Sequence, residues 1–155
     1  MKPRPPLRRS YIKRRPPRPV SKERKAARLQ RDRDNPFSLY WRDRCEPVWR
    51  AICLERAGNR SQLNGNTYNL VVHHLINRDR PMTRWDINNG FVLTAREHTE
   101  VYGNPHGAYK QVFDDMLARR YPERAAWVEE HKRDTGRVCW RDVYVGLVGG
   151  EGSGG

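Results

Sequence analysis

Apolar positions along the chain follow different periods in different segments, and the changes of period divide it into elements. Residues 1–20 have few apolar positions and no period, with Pro3, Pro5, Pro6, Pro16, Pro17 and Pro19 set among arginines. Proline removes helix donors and like charges repel, so this stretch reads as disordered on its own. Residues 21–34 lose the prolines and gain Ala26, Ala27 and Leu29. With Ser21 as N-cap they predict a basic helix, favoured by contact with phosphate. Asn35-Pro36 pairs a cap with proline at the first helical position, predicting a short helix through Phe37, Leu39, Tyr40 and Trp41. Pro47 is predicted to end it and to open another over 48–57. There Val48/Ile52 and Trp49/Cys53 are i,i+4 pairs, and Gly58 suits the C′ position.

The period then shortens. Asn64-Gly65-Asn66 is a turn, residues 68–74 are rich in strand formers, 77–89 form a polar loop, and Phe91-Val92-Leu93 is a second short strand. Thr94 can cap a helix starting at Ala95. Asn104-Pro105 repeats the cap signal. Tyr109, Val112, Phe113, Met116, Leu117 and Tyr121 fall on one helical stripe. Pro122 breaks it and opens a helix through Ala125 and Val128 to Gly136. Residues 138–148 fit strand or helix, and 149–155 are a flexible Gly-rich tail. The pattern gives an α+β class: a basic arm over 1–34, disordered or helical on binding, a compact domain over 35–148 and the tail.

Charge sharpens that division. Of 155 residues, 31 are Lys or Arg and 18 are Asp or Glu, a formal charge of +13. Residues 1–33 hold 14 of the basic residues and two of the acidic ones, which leaves 17 against 16 beyond them. A nearly neutral domain therefore carries a cationic arm, which points to a polyanion, most often nucleic acid. The mean hydropathy of −1.01 and the lack of a long apolar run exclude a transmembrane protein, and no apolar segment follows the basic N-terminus as in a signal peptide. Cys45, Cys53 and Cys139 are odd in number and scattered, which fits packed thiols in a reducing cytoplasm.

Candidate chemistry is concentrated within 26 residues. His73-His74 end the first strand, Asn89 sits at a turn, and His98 lies early on the helix after the second strand. Adjacent strand residues point to opposite faces. One imidazole can then bind a metal while the other acts as a base, and His98 can turn toward the same metal. Phosphodiester hydrolysis needs both functions. Taken singly, each feature is ordinary; their order on β, β and α elements is not.

The stretch His73-His74-Leu75-Ile76, Trp85 through Thr94 and Glu97-His98 resembles an HNH (ββα-metal) nuclease motif over residues 59–103. The resemblance implies His73 and His98 as ligands of one divalent ion, His74 as general base, and Asn89 as the brace that orients it. Mg²⁺ or Mn²⁺ would suit, with Ni²⁺ or Zn²⁺ as alternatives. Tyr102 stands where colicin-type members carry a further histidine, so water would replace that ligand. Ser61, Asn64, Thr94 and Glu97 stand where many members carry zinc-binding cysteines, so no structural zinc is expected. The hairpin would then be held by Trp49, Ile52 and the 109–121 stripe. In and just before the helical part over 104–136, Gly103-Asn104-Pro105, Tyr109, Leu117, Pro122-Glu123-Arg124 and Val128-Glu129 are similar to the region after the final motif in phage NinG/Rap recombination proteins, which implies a phage or prophage origin.

The implied function is a metal-dependent DNA endonuclease in the host cytoplasm, acting on duplex or branched DNA in recombination, processing or packaging. Expected DNA contacts are Arg8, Arg9, Lys13, Arg14, Arg15, Arg18, Lys25, Arg28, Arg78, Arg80 and Arg84, and Trp85 could stack on a base. Two alternatives stand beside it: a non-catalytic nucleic-acid-binding accessory protein on a decayed HNH scaffold, and a phage packaging or virion component.

Overall fold

A computed structural model describes residues 20–101 and 110–149. The basic segment forms helix α1 (Lys22–Asp34), with the Ser21 hydroxyl accepting from the Arg24 amide at 3.3 Å as its N-cap. Helix α2 (Leu39–Arg56) follows, then strands β1 (Leu70–His74) and β2 (Gly90–Thr94), then helices α3 (Lys110–Arg120), α4 (Pro122–His131) and α5 (Trp140–Val148). The strands form a two-stranded antiparallel sheet in which Val72 faces Val92, His73 faces Phe91 and His74 faces Gly90. The chain is thus α+β, with helices on both faces of a small hairpin.

Each face of the hairpin buries its own apolar set, as the two-residue period of a strand requires. Val72 and Val92 pack with Cys45, Trp49 and Cys53 of α2, with Trp85, and with Trp140, Val143, Tyr144 and Leu147 of and around α5. Phe91 and Leu93 pack with Phe113, Met116 and Leu117 of α3 and with Tyr121, Ala125 and Val128 at α4. Gly90 lies where the first layer comes closest. A Cβ there would stand 2.3 Å from Cys53 Sγ and 3.1 Å from Trp49 Cζ2, so the backbone approach excludes a side chain.

Several expectations are corrected. Pro47 does not end a helix: α2 runs straight through it. The buried residues Cys45, Trp49 and Cys53 recur every four positions across the proline, and their burial offsets the lost backbone hydrogen bond. Pro47 and Asp43, whose carbonyl loses its donor, are both exposed, so water can reach that carbonyl. The first strand starts at Leu70 rather than residue 68, because Asn69 takes a left-handed conformation at φ 51° and leaves Tyr68 81% exposed. The stripe on α3 is narrower than predicted: Phe113, Met116 and Leu117 are buried but Val112 is 56% exposed. Cys53 rather than Ile52 holds the hairpin from α2, and α4 ends at His131. Trp85, for which stacking on a base was one option, is instead 4% exposed in the core. The segment 138–148 resolves to helix from Trp140.

Candidate active site

The strand ends place the two adjacent histidines on opposite sides of the hairpin. His73 is 4% exposed and lies on the Phe91 side, its ring edge-on to Phe113 at 5.4 Å. Its Nδ1 is 3.1 Å from His98 Nε2. His98 is brought there by a tight device at the end of β2. The Thr94 hydroxyl accepts from the Glu97 amide at 3.1 Å, while Glu97 Oε2 accepts from the Thr94 amide at 2.7 Å. This reciprocal capping box starts the helical residues from Ala95. They continue as a π-helical turn, Glu97–Val101, rather than the regular helix expected.

Ser61 adds a second donor to the same carboxylate oxygen at 2.6 Å, and the Thr94 hydroxyl a third at 2.9 Å. Ser61, Thr94 and Glu97 are all buried. Three of the four positions singled out against zinc cysteines therefore form a hydrogen-bonded cluster tying the 61–66 loop to the His98 turn. The fourth, Asn64, serves the loop itself by accepting from the Asn66 amide at 2.8 Å.

His74 is held on the other face. Its ring stacks on Trp49 at 4.4 Å and 20°, and its Nε2 is 3.0 Å from the carbonyl oxygen of Arg84. A carbonyl only accepts, so Nε2 carries the proton and, in the neutral ring, Nδ1 carries the lone pair. The loop that supplies this carbonyl is fixed twice. Trp49 Nε1 donates to the Asp86 carbonyl at 2.8 Å, and the Asp86 carboxylate caps the 3₁₀ turn Ile87–Asn89 through the Asn88 amide at 2.7 Å. Arg124 closes the turn from α4, donating to the carbonyls of Asn88 at 2.6 Å and Gly90 at 3.2 Å. Burial is the main cause holding its guanidinium below the usual arginine range, with Arg56 adding to it.

Asn89 is fully buried and spans the loop. Its Oδ1 accepts from the Ile76 amide at 2.6 Å, and its Nδ2 donates to the carbonyls of Ile76 at 3.1 Å and Thr83 at 2.9 Å. It thus ties the chain after His74 to the segment that carries the Arg84 acceptor.

The proposed DNA contacts divide three ways. Arg8, Arg9, Lys13, Arg14, Arg15 and Arg18 lie outside the described residues, as do Tyr102 and the cap at 104–105. Lys25 and Arg28 are exposed on α1, and Arg78 and Arg80 are exposed on the loop. Arg84 is folded inward. Its Nη1 donates to the Arg78 carbonyl at 2.9 Å, its guanidinium lies 4.8 Å from the Trp85 ring centre, and its buried Nε makes no hydrogen bond. Burial, reinforced by Arg42 and Arg78, lowers its pKa. It packs the loop rather than reaching outward.

The His73 and His98 nitrogens meet a simple test for a shared ion. Two nitrogens each about 2.1 Å from one ion lie roughly 3.0 Å apart at a right angle and 3.4 Å apart at the tetrahedral angle, and the observed separation is 3.1 Å. Among the described residues no cluster of three or more His, Cys, Asp or Glu is placed to hold a metal, and no helix is long and apolar enough to cross a membrane. Comparison with protein-family models, curated proteins and solved structures finds no match for this chain.

Trp49 was expected to hold the hairpin, but its stacking on His74, the Arg124 contacts and the Ser61–Glu97 contact were not anticipated. The Thr94-x-x-Glu97 spacing carried a capping-box signal. Nothing local to Arg124 or Ser61 indicates their partners, which lie more than 30 positions away in the chain.

Proposed function

We propose that this protein is a divalent-metal-dependent DNA endonuclease of HNH type, with His73 and His98 holding one ion and His74 acting as general base. The observation that carries the reading is the arrangement at the end of β1. One histidine meets His98 nitrogen-to-nitrogen on one face, while its neighbour is locked on the other with its lone pair on Nδ1. A bound Mg²⁺ or Mn²⁺ would offset charge on the phosphate and on the leaving oxygen. His74 Nδ1 would take the proton from the attacking water. Its Nε2–H, held by the Arg84 carbonyl, stabilises the imidazolium that results. Asn89 and Trp49 act through that carbonyl and the ring plane. The basic arm would supply affinity through phosphate contacts, and the resemblance favours a phage or prophage setting in recombination, processing or packaging.

The second reading is a non-catalytic nucleic-acid-binding protein on the same scaffold. It is favoured by the sequence, in which Ser61, Asn64, Thr94 and Glu97 stand where many HNH proteins carry zinc-binding cysteines and Tyr102 stands where colicin-type members carry a further histidine. Supercoiled plasmid incubated with Mg²⁺, Mn²⁺ or Ni²⁺, beside an EDTA control, separates the two. Metal-dependent nicking supports the endonuclease. DNA binding without cleavage in any metal supports the accessory protein.

A further inference from the structure

Helix α1 is a rod without a core of its own. None of its 13 residues is buried, and a helix of that length is marginal in water unless something packs on it. Its contacts with the rest of the protein gather at its last turn. Trp41 Nε1 donates to the Arg33 carbonyl at 2.9 Å, the Ser38 hydroxyl donates to the Asp32 carbonyl, and Arg33 Nε donates to the Tyr40 hydroxyl at 3.1 Å. Among the described residues no hydrogen bond or ion pair joins residues 22–31 to another element. The helix is therefore clamped at one end and projects at the other.

The projecting part has a charged side. Arg24, Arg28 and Arg31 recur at i, i+4 and i+7 and so share one face. That face lies opposite Arg33, the residue that touches α2, and Lys25 flanks it. Of the three acids on α1, Glu23, Asp32 and Asp34, it is Asp32 that pairs with the stripe, 3.9 Å from Arg28. At 1.5 Å per residue the rod is about 20 Å long and about 10–12 Å across with side chains. The major groove of B-DNA is about 12 Å wide and admits a helix, whereas the deep, narrow major groove of A-form RNA does not.

We infer that α1 is a docking helix that seats its Arg24–Arg28–Arg31 face in the major groove of duplex DNA and is steadied by it, rather than a charged tether. This deepens the endonuclease reading and rests on it only in taking DNA as the partner. The clamp gives the docking a use. The same helix α2 that fixes the end of α1 also carries Trp49, on which His74 stacks. A duplex seated on α1 is thereby oriented with respect to the candidate catalytic ring.

Two full-length variants separate shape from charge. Ala27→Pro keeps every charge and breaks the helix in its interior. The triple variant R24A/R28A/R31A keeps the helix and removes the stripe. Binding to a 20-base-pair duplex is followed by fluorescence anisotropy in EDTA across a salt series, beside single-stranded DNA and duplex RNA of the same length. Tryptophan emission checks that the core is intact. The inference predicts at least a tenfold loss for Ala27→Pro on duplex DNA, with little change on the single strand. It predicts a fall of roughly 3 in the slope of log K against log salt for the triple variant. Duplex affinity unchanged by Ala27→Pro overturns it in favour of a tether. Unchanged affinity in both variants removes α1 from the interface, and equal Ala27→Pro losses on duplex RNA exclude major-groove seating. Failure of the unaltered protein to bind any duplex overturns the DNA reading as well.

Discussion

Replacing Asn89 by alanine isolates the brace at the centre of the site. The change removes three hydrogen bonds at once and leaves the Ile76 amide, the Ile76 carbonyl and the Thr83 carbonyl without their side-chain partner. Ile76 is 5% and Thr83 2% exposed, so bulk solvent does not compensate. A buried orphan polar group costs about 1–3 kcal/mol. Carbonyls tolerate under-satisfaction better than amides, and the vacated space can take in a water. The expected loss is therefore about 3–5 kcal/mol, a large part of the roughly 5–15 kcal/mol of an ordinary domain. Asn89→Asp tests the polarity of the same contacts. Its carboxylate would turn an acceptor toward two carbonyl oxygens, which raises the pKa of the introduced group. A raised carboxyl favours the fold in its protonated form, so this variant should lose stability relative to the parent as pH rises above about 4. Urea unfolding followed by tryptophan emission measures both effects, since Trp49 and Trp85 lie against the loop. A loss below about 1 kcal/mol for Asn89→Ala, or a pH-independent deficit for Asn89→Asp, would refute the bracing role.

Other outcomes follow from packing and burial. Gly90→Ala should cost about 1–3 kcal/mol in urea unfolding, because the added methyl meets Cys53 Sγ and Trp49 and overpacks the core. Pro47→Ala should stabilise by about 1–3 kcal/mol in the same assay, because it restores a donor for the Asp43 carbonyl inside α2. Burial pushes Cys45 to about 11 and Cys53 to about 12, with Arg124 and Arg56 partly opposing the second. Both thiols stay protonated in the fold, so their contribution is present below the unfolded value near 9 and is lost as pH rises toward 11–12. Ultraviolet titration at about pH 10 should show two fewer thiolates in native than in urea-unfolded protein, and equal numbers would contradict the burial argument.

The parts legible in the sequence were those set by local chemistry. Ser21 announced the start of α1, Pro122 that of α4, and Asn64-Gly65-Asn66 its turn. The hairpin could be read from the strand formers around His73 and around Val92, and the opposite placement of His73 and His74 follows from strand geometry alone. Long-range packing decided the rest. Pro47 reads as a break in any local window, and only burial against α5 and the hairpin carries α2 through it. Trp85 sits among charged neighbours in sequence, yet it packs on Trp49. Arg84 looks like a surface cation, but its neighbours draw it over Trp85. The partners of Glu97 were half visible: Thr94 lies three residues away, whereas Ser61 lies 36 residues away. At the site itself the residue types were legible. The 3.1 Å approach of His73 to His98 and the direction of the His74 lone pair needed three dimensions.

The central claim is that His74 is the base beside an ion held by His73 and His98. Single-turnover plasmid nicking in saturating Mn²⁺, measured for the parent protein and His74→Ala together with the DNA affinity of each, tests it most directly. The account predicts a rate loss of about 10²–10⁴-fold, with DNA affinity and Mn²⁺ affinity nearly unchanged. Parent-like nicking by His74→Ala, or a rate loss fully explained by lost Mn²⁺ or DNA binding, would contradict it.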